Sequence, residues 1–280
     1  MTNSVSIGGV RLGGGGPFLL VAGPCVIESQ DNLRETAQGL KGMAQDLGIG
    51  LVFKSSFDKA NRSSLSSYRG PGLIKGLPML GAIKEEFGIP VLSDVHETCQ
   101  VAPAAEVLDC LQIPAFLARQ TDLLVAAAKS GKPVNVKKGQ FMAPSDMSHA
   151  VGKMEKQTGF AGLSLCERGS SFGYHNLVVD MRSLVIMRGL GWPVLFDATH
   201  SVQLPAAQGG SSGGERHFVP ALARAAVAVG VDGIFLETHP EPSKALCDGP
   251  NQWPLAQVKG LISDLLAIRE AGKGSEGRFD

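Results

Sequence analysis

The sequence is poor in what would tie it to a membrane, a nucleic acid or an oxidising compartment. Lys plus Arg number 26 and Asp plus Glu number 26, so the formal net charge is zero. That argues against a dedicated nucleic-acid binder, which would show a basic excess. No stretch approaches the ~18 continuous apolar residues of a membrane-spanning helix. The first residues, "MTNSVSIGGVRLGGGG", lack the basic region and apolar core of a signal peptide. Five cysteines stand at 25, 99, 110, 166 and 247 with no CxxC pair among them. Without an export signal they read as reduced thiols of a cytoplasmic protein. There is also no G-x-G-x-x-G after the first apolar run, which weighs against a dinucleotide-binding sheet.

What the sequence has is repetition. Eight short apolar runs recur at 17–25, 51–57, 90–96, 107–114, 133–139, 163–169, 193–200 and 233–239, and most end in polar or charged residues. Near-continuous apolar character fits parallel strands buried on both faces. Helical patterns lie between most of them. The pattern at 29–48 opens on Ser29 as an N-cap and stops at Gly48; others end on glycine at 191 or 230. The segment between the third and fourth runs is the least helix-like, because Pro103 interrupts it. Eight strand–helix units in 280 residues predict a single (β/α)8 TIM barrel over 1–280, of the α/β class. A doubly wound sheet is the weaker alternative. "VSIGGVRLGGG" reads as an N-terminal β-hairpin closing the barrel bottom, and "AAQGGSSGGE" (206–215) as a lid-like loop after the seventh strand.

Active sites of such barrels lie at the C-terminal ends of the strands. Those ends carry Cys25, Lys54, Asp94, His96, Gln112, Lys137, Lys138, Glu167, Arg168, Asp197, His200, Glu237 and His239. Lys54, Lys59, Arg62, Arg119, Lys137 and Arg168 form a cationic subset, which on a neutral chain points to a phosphate- or carboxylate-bearing ligand. Pairing with Asp58, Asp94 and Glu167 is the structural alternative. Cys25, His200 and Glu237 end the first, seventh and eighth strands, which become neighbours when a barrel closes. With Asp248 as a possible fourth donor they suit a divalent transition ion, although a lone cysteine is more often a packed thiol.

Five strings carry a more specific signal: "FKSSFDKANRSSLSSYRGPG" (53–72), "NVKKGQFMAP" (135–144), "CERGSSFGYHNLVVDMR" (166–182), "DATHSVQ" (197–203) and "LETHPEPSKALCDGP" (236–250). Together they resemble the 3-deoxy-D-manno-octulosonate 8-phosphate synthase family, in the family's order and over nearly the whole chain. The resemblance implies a homotetrameric barrel enzyme of lipopolysaccharide biosynthesis. Its reaction condenses phosphoenolpyruvate with D-arabinose 5-phosphate and water and releases inorganic phosphate. It further implies that Lys54, Ser56, Lys59, Lys137, Arg168 and the backbone of Ala115 hold phosphoenolpyruvate. Asn61, Arg62 and Ser63 would bind the sugar phosphate, with Arg119 reaching it from a neighbouring subunit. Asp94, Gln112 and Gln140 would complete the pocket, with His200 beside them. Metal-independent members resemble "GMNVLES" where this chain has "GPCVIES", so Cys25 implies the metal-dependent subclass. Its ligands would be Cys25, His200, Glu237 and Asp248, holding Zn, Fe(II), Mn or Co. Cys247 and Asp248 do not separate the two classes. Asp248, His200 and Lys137 are the candidate proton carriers. "KANRSS" speaks against the related aromatic-pathway synthase, which uses erythrose 4-phosphate. A lysine Schiff-base aldolase through Lys137 and a non-catalytic sugar-phosphate sensor are the remaining alternatives.

Overall fold

A computed structural model describes residues 2–62, 64–205 and 213–273. Eight parallel strands run β1 (Leu19–Gly23), β2 (Gly50–Lys54), β3 (Val91–Asp94), β4 (Cys110–Ile113), β5 (Val134–Lys137), β6 (Leu163–Glu167), β7 (Val194–Asp197) and β8 (Gly233–His239). Each pairs with the next in chain order, and β8 pairs with β1, so the sheet closes. Every strand residue but Gly50 is buried. That is the pattern of a sheet with side chains filling one face and helices covering the other.

The covering helices are α1 (Gln30–Leu47), α2 (Leu73–Phe87), α3 (Thr98–Val107), α4 (Thr121–Lys129), α5 (Met147–Met154), α6 (Arg182–Arg188), α7 (Val219–Val229) and α8 (Leu255–Gly272). α1 shows how local sequence sets the ends. The Ser29 hydroxyl accepts the Asn32 N–H, and Gly48 takes the left-handed conformation (φ 63°) while its N–H closes on Ala44 and Gln45. Between them Leu33, Ala37, Leu40 and Ala44 bury one face at helical spacing. α3 forms despite Pro103, which leaves the Cys99 carbonyl without its helical N–H. Burial of Val101 and Ala104 against the core outweighs that loss.

The predicted hairpin pairs Ser4–Ile7 with Val10–Gly13 through Gly8 and Gly9 at φ 53° and 88°. Val5, Ile7 and Leu12 are buried in the same apolar core as the strands. Gly8 packs on Pro90 ahead of β3 and Gly13 on Pro193 ahead of β7, so the hairpin seals the N-terminal end of the barrel. The opposite end is left for chemistry. Of the lid-like loop, 206–212 lie outside the described residues; Gly213–Gly214 pair with Gln203–Leu204 at its base. No helix among the described residues is long and apolar enough to cross a membrane.

Candidate active site

The C-terminal ends of the strands gather a buried charge lattice. Gly23 makes it possible: a Cβ there would overlap the Lys54 carbonyl, so only glycine lets β1 and β2 approach this closely. Lys54 Nζ, 1 % exposed, then donates to the Cys25 carbonyl at 3.0 Å and to Glu237 Oε1 at 2.5 Å. Lys59 Nζ lies 3.5 Å from the same carboxylate oxygen, and His200 Nε2 lies 3.5 Å from Oε2. Burial would push Glu237 up, but Lys54, Lys59, His200 and Lys137 hold it well below the usual carboxylate range.

Asp197 is a second anchor. It takes the Lys137 ammonium and lies 2.8 Å from His200 Nδ1. A carboxylate only accepts, so Nδ1 carries the proton toward Asp197 and Nε2 faces Glu237. The cations around Asp197 outweigh its burial and depress its pKa. Lys137 also stands over the Phe235 ring, 3.6 Å from its centroid. Asp94, at the end of β3, accepts from Ser56 Oγ and, at 2.7 Å, from Gln112 Nε2. Burial again opposes ionisation there, and Lys54, Lys59 and His96 again overcome it, so Asp94 stays charged.

These groups line a cavity of about 200 Å³ with Lys54, Lys59, Asn61, Asp94, Gln112, Ala115, Lys137, Gln140, Arg168, His200 and Glu237 on its wall. A neighbouring depression of about 450 Å³ holds Arg62, Cys247, Asp248 and Arg216. Buried polar atoms without a partner concentrate at this mouth. Among the described residues they include Arg168 Nη1, His96 Nδ1, Gln140 Oε1 and Arg62 Nε. Native interiors rarely leave such atoms unpaired, and their convergence marks a surface shaped for a polar ligand. Of the sequence-predicted residues, Ser56 is buried behind the cavity wall, Arg119 is exposed on the rim and outside both cavities, and Ser63 lies outside the described residues.

The four predicted metal donors fall into two overlapping groups. His200, Glu237 and Asp248 offer atoms within 4.8 Å of one another, and so do Cys25, Cys247 and Asp248. Cys25 Sγ lies 3.6 Å from Asp248 Oδ2 and 2.9 Å from Cys247 Sγ. Burial and the Cys247 thiol push the Cys25 thiol well up, so a cation is needed to draw out its thiolate. Thiolate, imidazole and two carboxylates meeting at Asp248 are a donor set that fits a borderline divalent ion. Asp248 is also the one non-glycine described residue in the left-handed region, at φ 48°.

Sequence reading missed several participants. Asp197 was visible only as a strand end; nothing in its spacing announces a partner 60 residues earlier. Gln203, which accepts from Arg168 Nη2 at 2.9 Å, sits inside a recognised string without a role. Cys247 carries no subclass signal in the sequence, yet its sulfur touches Cys25 and accepts from Arg62 Nη1 at 3.0 Å. Arg216 reaches the Gly249 and Pro250 carbonyls and so braces the turn carrying Asp248.

Comparison with known proteins agrees with this geometry. A family model described as DAHP synthetase I family matches residues 2–270. A protein of Desulfatibacillum aliphaticivorans named 2-dehydro-3-deoxyphosphooctonate aldolase is 59 % identical over 272 residues, 97 % of this chain and 99 % of that one. Proteins of the same name from Trichlorobacter lovleyi and Geobacter metallireducens are 60 % and 59 % identical, each over 96 % of this chain and 98 % of their own. The match takes in all eight strands and every residue of the charge lattice at their C-terminal ends, and the chain belongs to the DAHP synthetase I family.

Proposed function

We propose that this chain condenses phosphoenolpyruvate with D-arabinose 5-phosphate and water, giving 3-deoxy-D-manno-octulosonate 8-phosphate and inorganic phosphate for lipopolysaccharide biosynthesis. The observation that carries the reading is the cationic cavity at the closed barrel's open end, with Arg168 Nη1 buried in it and unpartnered. The relatives' shared name supports the eight-carbon product over the aromatic-pathway alternative.

Two polyanions must meet with carbon 3 of phosphoenolpyruvate against the aldehyde carbon of the sugar. Lys54, Lys59, Lys137 and Arg168 offset their repulsion and hold them in attack geometry, the positioning that intramolecular models value at several kcal/mol. The C–C bond forms as the aldehyde oxygen becomes an alkoxide and carbon 2 becomes electron-poor. Water adds at carbon 2 and loses a proton, and the alkoxide gains one, so this step moves a single proton. The hemiketal phosphate then collapses: the carbon 2 hydroxyl gives up its proton as the ketone C=O forms, the carbon 2–O bond to phosphate breaks, and the proton leaves with inorganic phosphate. Lys137, His200 and Asp248 are the titratable groups assembled for that proton transfer. Cys25, His200, Glu237 and Asp248 would hold a divalent ion such as Zn, Fe(II), Mn or Co, which supplies Lewis acidity when bound.

The enzyme we infer is a cytoplasmic homotetramer. Phe116, Phe141, Phe172 and Tyr174 are each more than half exposed on the rim that also carries Arg119. Phe141 lies against Gly139, and the adjoining loop is tied in by the Ser171 N–H on the Gln140 carbonyl. Exposed aromatic side chains on this rim suit a subunit contact. The reading is tested by phosphate release from phosphoenolpyruvate with arabinose 5-phosphate against erythrose 4-phosphate, each with and without chelator. Faster release with erythrose 4-phosphate, or none with either sugar, would overturn it.

A further inference from the structure

The interior of this barrel carries a line of polar side chains that packing does not require. Asp94 on β3, Gln112 on β4, Asn135 on β5 and Ser164 on β6 are consecutive partners in the sheet register. Side chains in register on neighbouring strands share a face. Asn135 and Lys137 are two apart on β5, so that face is the one from which Lys137 enters the cavity. Asn135 is 0 % exposed and Ser164 2 %. Neither touches the cavity, and no role follows for either from the strings that mark the site.

Their hydrogen bonds form one directed chain. Ser164 Oγ donates to Asn135 Oδ1 at 2.9 Å, Asn135 Nδ2 to Gln112 Oε1 at 2.7 Å, and Gln112 Nε2 to Asp94 Oδ1 at 2.7 Å. The other Asp94 oxygen accepts from Ser56 Oγ. The direction is forced. An ionised carboxylate has no proton to give, so Gln112 must turn its NH2 toward Asp94. Its carbonyl then faces Asn135, which must answer with its own NH2, and only a donor such as the Ser164 hydroxyl satisfies the remaining oxygen. An apolar layer would close the barrel equally well. A buried polar chain that is satisfied at every link fixes orientation, and breaking any link exposes the next to the low-dielectric interior.

We propose that Asn135, backed by Ser164, is a positioning residue that acts through Gln112 to orient the Asp94 carboxylate and the Ser56 hydroxyl at the phosphoenolpyruvate side of the cavity. The assignment of the side rests on the proposed function. The substrate groups adjoining the chain's end, Ser56, Lys54 and Lys59, are those given to phosphoenolpyruvate.

Asn135→Asp is the informative change. It is isosteric and, once ionised, replaces the NH2 donor with an acceptor, so that Gln112 turns over and faces its own carbonyl toward Asp94; the effect is therefore read at the alkaline end of the activity range, where the new carboxyl has lost its proton. Losing an oriented hydrogen bond to a charged group corresponds to roughly a tenfold effect. The KM for phosphoenolpyruvate is therefore expected to rise about tenfold, with kcat and the KM for arabinose 5-phosphate within a factor of about two. In a Gln112→Ala background, Asn135→Asp should add almost nothing to that KM, because its lever is gone. Asn135→Ala and Ser164→Ala repeat the cycle should the aspartate variant fail to fold, with progressively smaller effects. Losses that multiply independently in the Gln112→Ala background, or that fall on kcat and both KM values alike, would overturn the proposal and reduce the chain to packing. An inactive native protein would instead indict the proposed function.

Discussion

Lys54→Met tests the core of the charge lattice. The substitution keeps an unbranched side chain, one atom shorter, and removes its charge. Lys54 and Glu237 are each 1 % exposed, so the carboxylate left behind has no solvent to turn to. Deleting one partner of a buried pair costs about 3–5 kcal/mol. Lys59 and His200 remain 3.5 Å from the two Glu237 oxygens, which favours the lower end. About 3 kcal/mol corresponds to a fall in melting temperature of roughly 6 °C for a chain of this size. The assay is thermal unfolding followed by circular dichroism, at one protein concentration so that assembly does not confound it. Two controls sharpen it. Lys54→Met/Glu237→Gln should recover part of the loss, since the stranded carboxylate is neutralised, although Lys59 then gives up its ion pair with it. A saturating divalent ion should shrink the Lys54→Met penalty, because a cation on Glu237 does part of the ammonium's work. Melting of the single variant within about 1 °C of native protein, against the several degrees expected of a broken buried pair, would refute the reasoning. So would a double variant no more stable than Lys54→Met.

The other predictions concern the donor set, the assembly and acid stability. Native protein is expected to lose turnover in strong chelator and regain it with Mn, Fe(II), Zn or Co, whereas Cys25→Asn keeps a lower turnover that chelator no longer abolishes; full native turnover far below one ion per chain, by elemental analysis, would refute this. Mixing Arg119→Ala chains with chains inactivated at Lys137 should restore activity through hybrid sites, and mixed oligomers without recovery would place Arg119 outside the chemistry. Asp94 is held below its ordinary range, so the unfolded chain takes up its proton first as pH falls, and native stability drops from about pH 4 downward. Denaturant titrations between neutral pH and pH 3 should show a shallower acid loss for Asp94→Asn than for native protein.

The barrel was legible because its signal is repetitive. Eight apolar runs each ended where a buried strand must meet polar solvent, and capping residues such as Ser29 and Gly48 marked helix ends within a residue. Where the reading stretched the strands, as at 107–114 against Cys110–Ile113, the excess was apolar helix end and loop. The site was legible only as a set of types. Lys137 and Lys138 are adjacent strand ends in the sequence, yet alternation sends them apart. Lys137 enters the cavity, whereas Lys138 binds the Gly139 and Met142 carbonyls and Ser170 beside Glu167. The pairing of Lys137 with Asp197, or of Cys25 with Cys247, depends on closure of the sheet and on one loop's path. Neither leaves a trace in local spacing.

The backbone at Asp248 bears on how this site is to be dissected. At φ 48° an ordinary side chain crowds its own carbonyl, and aspartate, asparagine and glycine are the residues that tolerate it. Alanine scanning there would combine two effects, loss of a donor and recoil of the turn that Arg216 braces. A dead Asp248→Ala enzyme would therefore say little about the carboxylate. Asparagine keeps the conformation and removes only the charge, so the contrast between the two substitutions separates scaffold from ligand. It also narrows the drift open to this position to a few residue types, two of which still carry an oxygen.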